Sequence, residues 1–187
     1  MVNSIDPMRK AIFLDRDGVI NKAYVVDGVP LPPKSLKDVE ILDGVKEATN
    51  LLIENKFILV VVTNQPDVAR GTVTREAVEE INAYLGQKLG LEHFFTCFHD
   101  DIQGCDCRKP KPGLLQKSAE ILGINLYESF LVGDRWRDVS AGQAVGCTCF
   151  FVDHGYNEKS PVLPFTKVSS LIEAAHSILE NSNDSFS

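Results

Sequence analysis

Positive charge is scarce in this chain. Its 187 residues carry 19 lysines and arginines against 26 aspartates and glutamates, a formal net charge of -7. That balance disfavours nonspecific binding to nucleic acid or to anionic membranes, so neither is an expected partner; it does not argue against a small phosphorylated ligand held by a few local cations. Long apolar runs are missing too. None approaches the roughly 20 residues of a membrane span, and residues 1–10 lack the apolar core of a secretion signal, so the expected location is cytoplasmic. There is no internal repeat, low-complexity tract or linker. With 44% hydrophobic and 24% charged residues, 1–187 is expected to form one domain, monomeric, with poorly ordered ends at about 1–9 and 181–187.

What is present is ordered by strand ends. Largely apolar runs at 11–14, 57–63, 94–99, 130–132 and 148–152 read as strands covered on both faces. Helical spacing falls between most of them, at 44–56, 74–89, 112–122 and 137–145, and a capping box of Ser170 and Glu173 predicts a last helix over 171–179. Alternating strand and helix implies a mainly parallel sheet, whose ligands bind outside the carboxyl ends of the strands. Residues 19–39, with Tyr24, Gly28 and three prolines, read as a flap or hairpin, and no insertion is large enough for a lid domain.

The first strand stops on Asp15 and Asp17 in Asp-Arg-Asp-Gly. Two carboxylates at the tip of a buried strand call for a cation; a divalent metal would meet that need and leave one carboxylate as a nucleophile toward phosphorus. A polar turn is the plain alternative, and a calcium loop fits poorly because Gly18 falls fourth and follows a strand. Thr63 and Asn64 end another strand, as a polar turn or as hydrogen-bond donors to phosphate oxygens. A third strand ends on Gly133 and Asp134, with Asp138 four residues on as a helix cap or a partner for a lysine. Asp15, Asp17 and Asp134 together would suit Mg2+. Arg108-Lys109-Pro110-Lys111-Pro112-Gly113 places cations before a helix, where the prolines would hold Lys109 still.

Three of the five cysteines lie between 97 and 107, which suggests thiolates gathered around a metal in a reducing compartment rather than disulfides. Cys97, His99, Cys105 and Cys107 form a four-ligand set for a structural Zn2+, tying down the loop that delivers Arg108 and Lys109. Cys147 and Cys149, in a predicted strand, read as core residues. His93, His154 and His176 read as surface or packing residues.

Four motifs in order, Asp15-x-Asp17, Thr63, Lys109-Pro-Lys-Pro112 and Gly133-Asp-x-x-x-Asp138, make the chain resemble the haloacid dehalogenase superfamily of phosphotransferases. The Cys-x-His and Cys-x-Cys-Arg-Lys-Pro pattern is similar to its zinc-bearing, capless branch, which includes heptose bisphosphate phosphatases and histidinol phosphatases. The resemblance covers about residues 10 to 155. It implies a Rossmann-like α/β three-layer sandwich with a zinc-bound loop and a Mg2+-dependent phosphatase acting on a small phosphorylated metabolite. In that scheme Asp15 is the nucleophile and Asp17 the general acid and base, with Thr63 and Lys109 catalytic. Mg2+ is held by Asp15, the backbone carbonyl of Asp17, and Asp134. Asn21, Asn64, Arg108 and Arg135 bind substrate. The expected substrate is a heptose 1,7-bisphosphate cleaved at C7, on a route to the lipopolysaccharide core or another glycan. Histidinol phosphate or another sugar or nucleotide phosphate is the alternative, since the five-residue gap from His99 to Cys105 resembles the histidinol-phosphatase loop. A catalytically silent binding module is the non-enzymatic reading. Tyr24, residues 25–33, Arg70 and Trp136 are candidates for the mouth of the site.

Overall fold

The computed structural model describes residues 9–184, with side chains through residue 180; the expected loose ends lie largely outside these residues. Strand β1 (Ala11–Leu14) is wholly buried, and β4 (Ile58–Asn64) and β6 (Phe130–Gly133) flank it. With β5 (His93–Cys97), β7 (Thr148–Val152) and β8 (Thr166–Val168) they form one sheet, ordered β5-β4-β1-β6-β7-β8, in which every pair is parallel.

Alternation along the strands divides two cores. Ile12, Leu14 and Val61 face helices α1 (Val45–Glu54), α2 (Arg75–Leu89) and α5 (Leu171–Asp184), meeting Leu52, Ile81 and Ala174. Ala11, Phe13 and Val62 face α3 (Gly113–Leu122) and α4 (Trp136–Ala144), meeting Leu115 and Val139. Each fully buried large side chain of β1 contributes about 1.5–3 kcal/mol. That double coverage fixes the level at which β1 must stop.

Register sets the site. Leu14 pairs with Val61 and Val132, and the Asp15 amide donates to the Val132 carbonyl at 3.0 Å. Asp15, Thr63 and Asp134 therefore emerge at one sheet edge, on either side of the point where the chain, having built β4 and β5, returns across the sheet to β6.

The flap is a hairpin, as one of its two readings had it: β2 (Tyr24–Val26) pairs with β3 (Val29–Leu31) around Asp27 and Gly28, both left-handed, which suits a two-residue turn. Three details depart from expectation. His99 lies two residues past β5, which ends at Cys97. Strand β8 was not anticipated, because Thr166 and Lys167 are exposed and leave no apolar run. Ser170 caps Glu173, but the Glu173 carboxylate reaches back to the amide and hydroxyl of Ser169. Among the described residues no helix is long and apolar enough to cross a membrane.

Candidate active site

Lys109 is the hub. Its side chain is 2% exposed, and its Nζ donates to Asp15 Oδ1 at 2.8 Å and the Val62 carbonyl at 2.7 Å while pairing with Asp138 Oδ1 at 2.6 Å. Three partners use all three ammonium protons. Burial alone would lower the lysine's pKa, but the charges of Asp138 and Asp15 more than offset it and hold the group protonated. Asp138 Oδ2 in turn accepts the Arg135 amide at 3.0 Å, so the start of α4 orients the acid that orients the lysine.

Asp15 is pushed above the ordinary carboxylate range by burial and by Asp138, with Lys109 pulling it back. Asp134 is pushed further, by burial and then by Asp15 and Asp138. Both Asp134 oxygens are buried without a partner in hydrogen-bond geometry, and the nearby Tyr156 hydroxyl offsets only part of the effect of burial on the acid. An orphaned, desolvated carboxylate is costly. Oxygens of Asp15, Asp134 and Asp138 lie within 4.8 Å of one another, a hard donor set into which a divalent cation fits. Two glycines admit this crowding. A Cβ at Gly133 would fall 2.1 Å from Asp138 Cβ, and one at Gly18, whose φ is +91°, would strike Asp134 Oδ2.

Asp17 lines the cleft beside Asp15. Its oxygens accept from Gln65 Nε2 at 2.7 Å, Asn21 Nδ2 at 2.9 Å and a fork from Arg16 at 3.1 to 3.2 Å. Arg16 is completely buried and braced on Asn82 Oδ1 at 2.9 Å. Two sequence expectations take different form here. Asn21 is fully buried and holds Asp17 instead of facing a ligand. Asn64 borders the cleft, but its amide spans the Lys109 backbone, donating to the carbonyl at 3.0 Å and accepting the N–H at 3.1 Å, so it clasps the lysine loop. Thr63 Oγ1 accepts from Gln65 at 2.9 Å and keeps its own proton to donate into the cleft.

The cleft is a cavity of about 220 Å³ bounded by these groups, the hairpin at Val29 to Pro32, and Arg70, Arg108, Arg135 and Arg137. Tyr24 and Trp136 are not among its walls. Trp136 instead stacks under Arg137 and Lys159.

Below Arg108 sit Cys97, His99, Cys105 and Cys107. Their donor atoms lie 3.2 to 3.7 Å apart in five of the pairings. Bonds of about 2.1–2.3 Å to a central tetrahedral ion would give edges of roughly 3.4–3.8 Å. Burial and the Cys107 thiol push Cys97 up to about 12, and a cation at the centre of the set would favour its thiolate. The cluster could thus hold a metal, and all five cysteines are free.

Sequence reasoning overlooked Arg16, Gln65 and Tyr156. Arg16 had a signal: an arginine set between two acids at the tip of a buried strand must find acceptors when desolvated, and it finds them in Asp17 and Asn82. Gln65 and Tyr156 had none.

Residues 33–146 match the family model of haloacid dehalogenase-like hydrolases. D-glycero-beta-D-manno-heptose-1,7-bisphosphate 7-phosphatase of Vibrio cholerae is 33% identical over 91% of this chain and 97% of its own. D-glycero-alpha-D-manno-heptose-1,7-bisphosphate 7-phosphatase of Campylobacter jejuni is 33% identical over 71% and 76%. The fold superposes on the D,D-heptose 1,7-bisphosphate phosphatase of B. bronchiseptica, solved with magnesium and phosphate, with a TM-score of 0.81 and 28% identity over 92% of this chain and 99% of that one.

Proposed function

The chain belongs to the haloacid dehalogenase-like hydrolases, and we propose that it is the phosphatase that removes the C7 phosphate of a D-glycero-D-manno-heptose 1,7-bisphosphate. The relatives' names support the substrate, and one observation carries the chemistry: a buried, unpartnered Asp134 beside a nucleophile-grade Asp15 that is already paired with a lysine. Mg2+ held by Asp15, the Asp17 carbonyl and Asp134 would supply positive charge against the repulsion between carboxylate and phosphate.

The protein's own groups account for the remaining work. Asp15 attacks phosphorus in line and the ester bond to the sugar breaks, leaving an aspartyl phosphate. Asp17 gives a proton to the departing sugar oxygen, then takes one from the water that hydrolyses the intermediate. Lys109, its protons committed, holds Asp15 in place and offsets charge that builds on the phosphoryl oxygens, toward which Thr63 donates. Arg108, in the cleft wall, is placed for the phosphate that stays. We assign Zn2+ to the Cys97, His99, Cys105, Cys107 set as a closed structural site, in a cytoplasm that keeps thiols reduced.

Release of inorganic phosphate from a panel tests this: both heptose 1,7-bisphosphate anomers, histidinol phosphate and common sugar phosphates, with Mg2+ present. The expected result is the highest kcat/KM on a heptose bisphosphate, and complete loss in Asp15→Asn with an unchanged circular dichroism spectrum. A higher value for histidinol phosphate would replace the substrate assignment, and turnover by Asp15→Asn would end the covalent mechanism.

A further inference from the structure

If the bisphosphate reading holds, the phosphate that does not react must meet positive charge somewhere in the cleft. Four arginines line its wall, and their acidic partners are unequal. Arg70 donates to both oxygens of Asp100 at 2.8 Å and to Asp67 at 3.3 Å, two acids for one cation. Arg135 is forked on Glu158 at 2.6 to 3.1 Å, one for one. Arg108 Nε and Arg137 Nη1 share a single atom, Asp101 Oδ1, at 2.7 and 3.4 Å. Of the four, only this pair faces the cleft with more cations than carboxylates.

Exposure separates the partners further. The Arg108 and Arg137 side chains are 11% and 27% exposed, whereas Asp101 is 58% exposed, on the single turn Asp101–Gln103. All three side chains line the cleft, the two cations as its more buried part and the anion as its more exposed one. Arg137 is also steadied, its guanidinium 4.9 Å from the Trp136 ring centre in the first turn of α4. An exposed carboxylate stretched between two guanidinium groups is held weakly. A phosphate brings nearly twice the charge and three acceptor oxygens to the same place.

We propose that Arg137, acting with Arg108, clamps the substrate's retained phosphate, and that Asp101 is an internal anion displaced when that phosphate arrives. Arg137 is then a specificity-determining residue that touches the distal phosphate and not the reacting centre. Asp101 sets how much of the clamp's charge is available.

Steady-state kinetics on the heptose 1,7-bisphosphate and on the 7-phosphate of the same sugar test it. In Arg137→Gln the preference for the bisphosphate, as a ratio of kcat/KM values, should fall roughly 10- to 100-fold, carried by KM, which is the weight of a hydrogen bond to a charged group. Arg137→Lys should recover part of it. Asp101→Asn should lower KM for the bisphosphate severalfold. An unchanged ratio in Arg137→Gln overturns the clamp, and a raised KM in Asp101→Asn overturns the displaced anion. Failure of the underlying reading would look different: the unaltered protein would show no preference between the two sugars.

Discussion

Replacing Lys109 with methionine keeps most of the side chain's volume and removes its charge. The lysine is 2% exposed and within 2.8 Å of two carboxylates that are themselves 11% and 2% exposed, so solvent screening does little for either. Removing one member of such a buried set costs about 3–5 kcal/mol, because the acids left behind are uncompensated. For a chain of this length that is a fall in Tm of about 6–20 °C. The sign of the pH dependence follows from the acids. Asp15 and Asp134 sit above their ordinary values in the folded chain, so the native state binds their protons more readily than the unfolded state does. Stability from this source falls as pH rises from the ordinary carboxylate range through the folded values, and without Lys109 the fall is steeper. Thermal unfolding in a chelator should show the variant's deficit near its full size at pH 8 and reduced at pH 5. A variant that melts with the parent at pH 8 would refute the view that Lys109 is the structural counter-charge of the site.

Gly133→Ala places a Cβ 2.1 Å from that of Asp138. The first turn of α4 must move, costing about 1–3 kcal/mol and, through the displaced Asp138 and Lys109, roughly 100-fold in kcat; unaltered kinetics would show that Asp138 does not orient the lysine. Purified protein should carry one zinc by metal analysis, and Cys107→Ser should lose it together with several degrees of Tm. A zinc-free but equally stable parent would remove the clip.

Much of the site was readable because its chemistry violates the local rules that shape a strand. Asp15 and Asp134 follow apolar runs that have no local use for a carboxylate, and Lys109 directly precedes Pro110, which limits its backbone; each is an anomaly visible without coordinates. The parallel order was equally legible, since β1, β4 and β6 are apolar on both faces. Residues that act through another side chain left less trace. Asn64 reads as a substrate ligand because a strand-end amide can serve either purpose, and Asn21 does so only through the family resemblance; which purpose an amide serves depends on register, here Asn64 standing across from Cys97 and against the Lys109 loop. Arg137 and Asp101 lie 36 residues apart on different turns, and only their sharing of one oxygen marks them. Strand β8 escaped because an edge strand with two solvated positions in three carries no apolar signature.

The proposed metal clip and Lys109 are only two residues apart, yet they do not depend on one another equally. Cys107 fixes one side of Arg108, while Lys109 has a second, independent anchor in the Asn64 amide, which grips its backbone at both the N–H and the carbonyl. Its ammonium is further pinned by Asp15, Asp138 and the Val62 carbonyl. Arg108 has no such clasp; it rests on Asp101 and on the His99 carbonyl at 3.4 Å, both within the loop that the clip closes. Loss of the clip should therefore loosen Arg108 first. The Cys107→Ser variant is accordingly expected to raise KM for a bisphosphate more than it lowers kcat, and a selective fall in kcat would mean that the clip's constraint reaches past Arg108 to Lys109 in spite of Asn64.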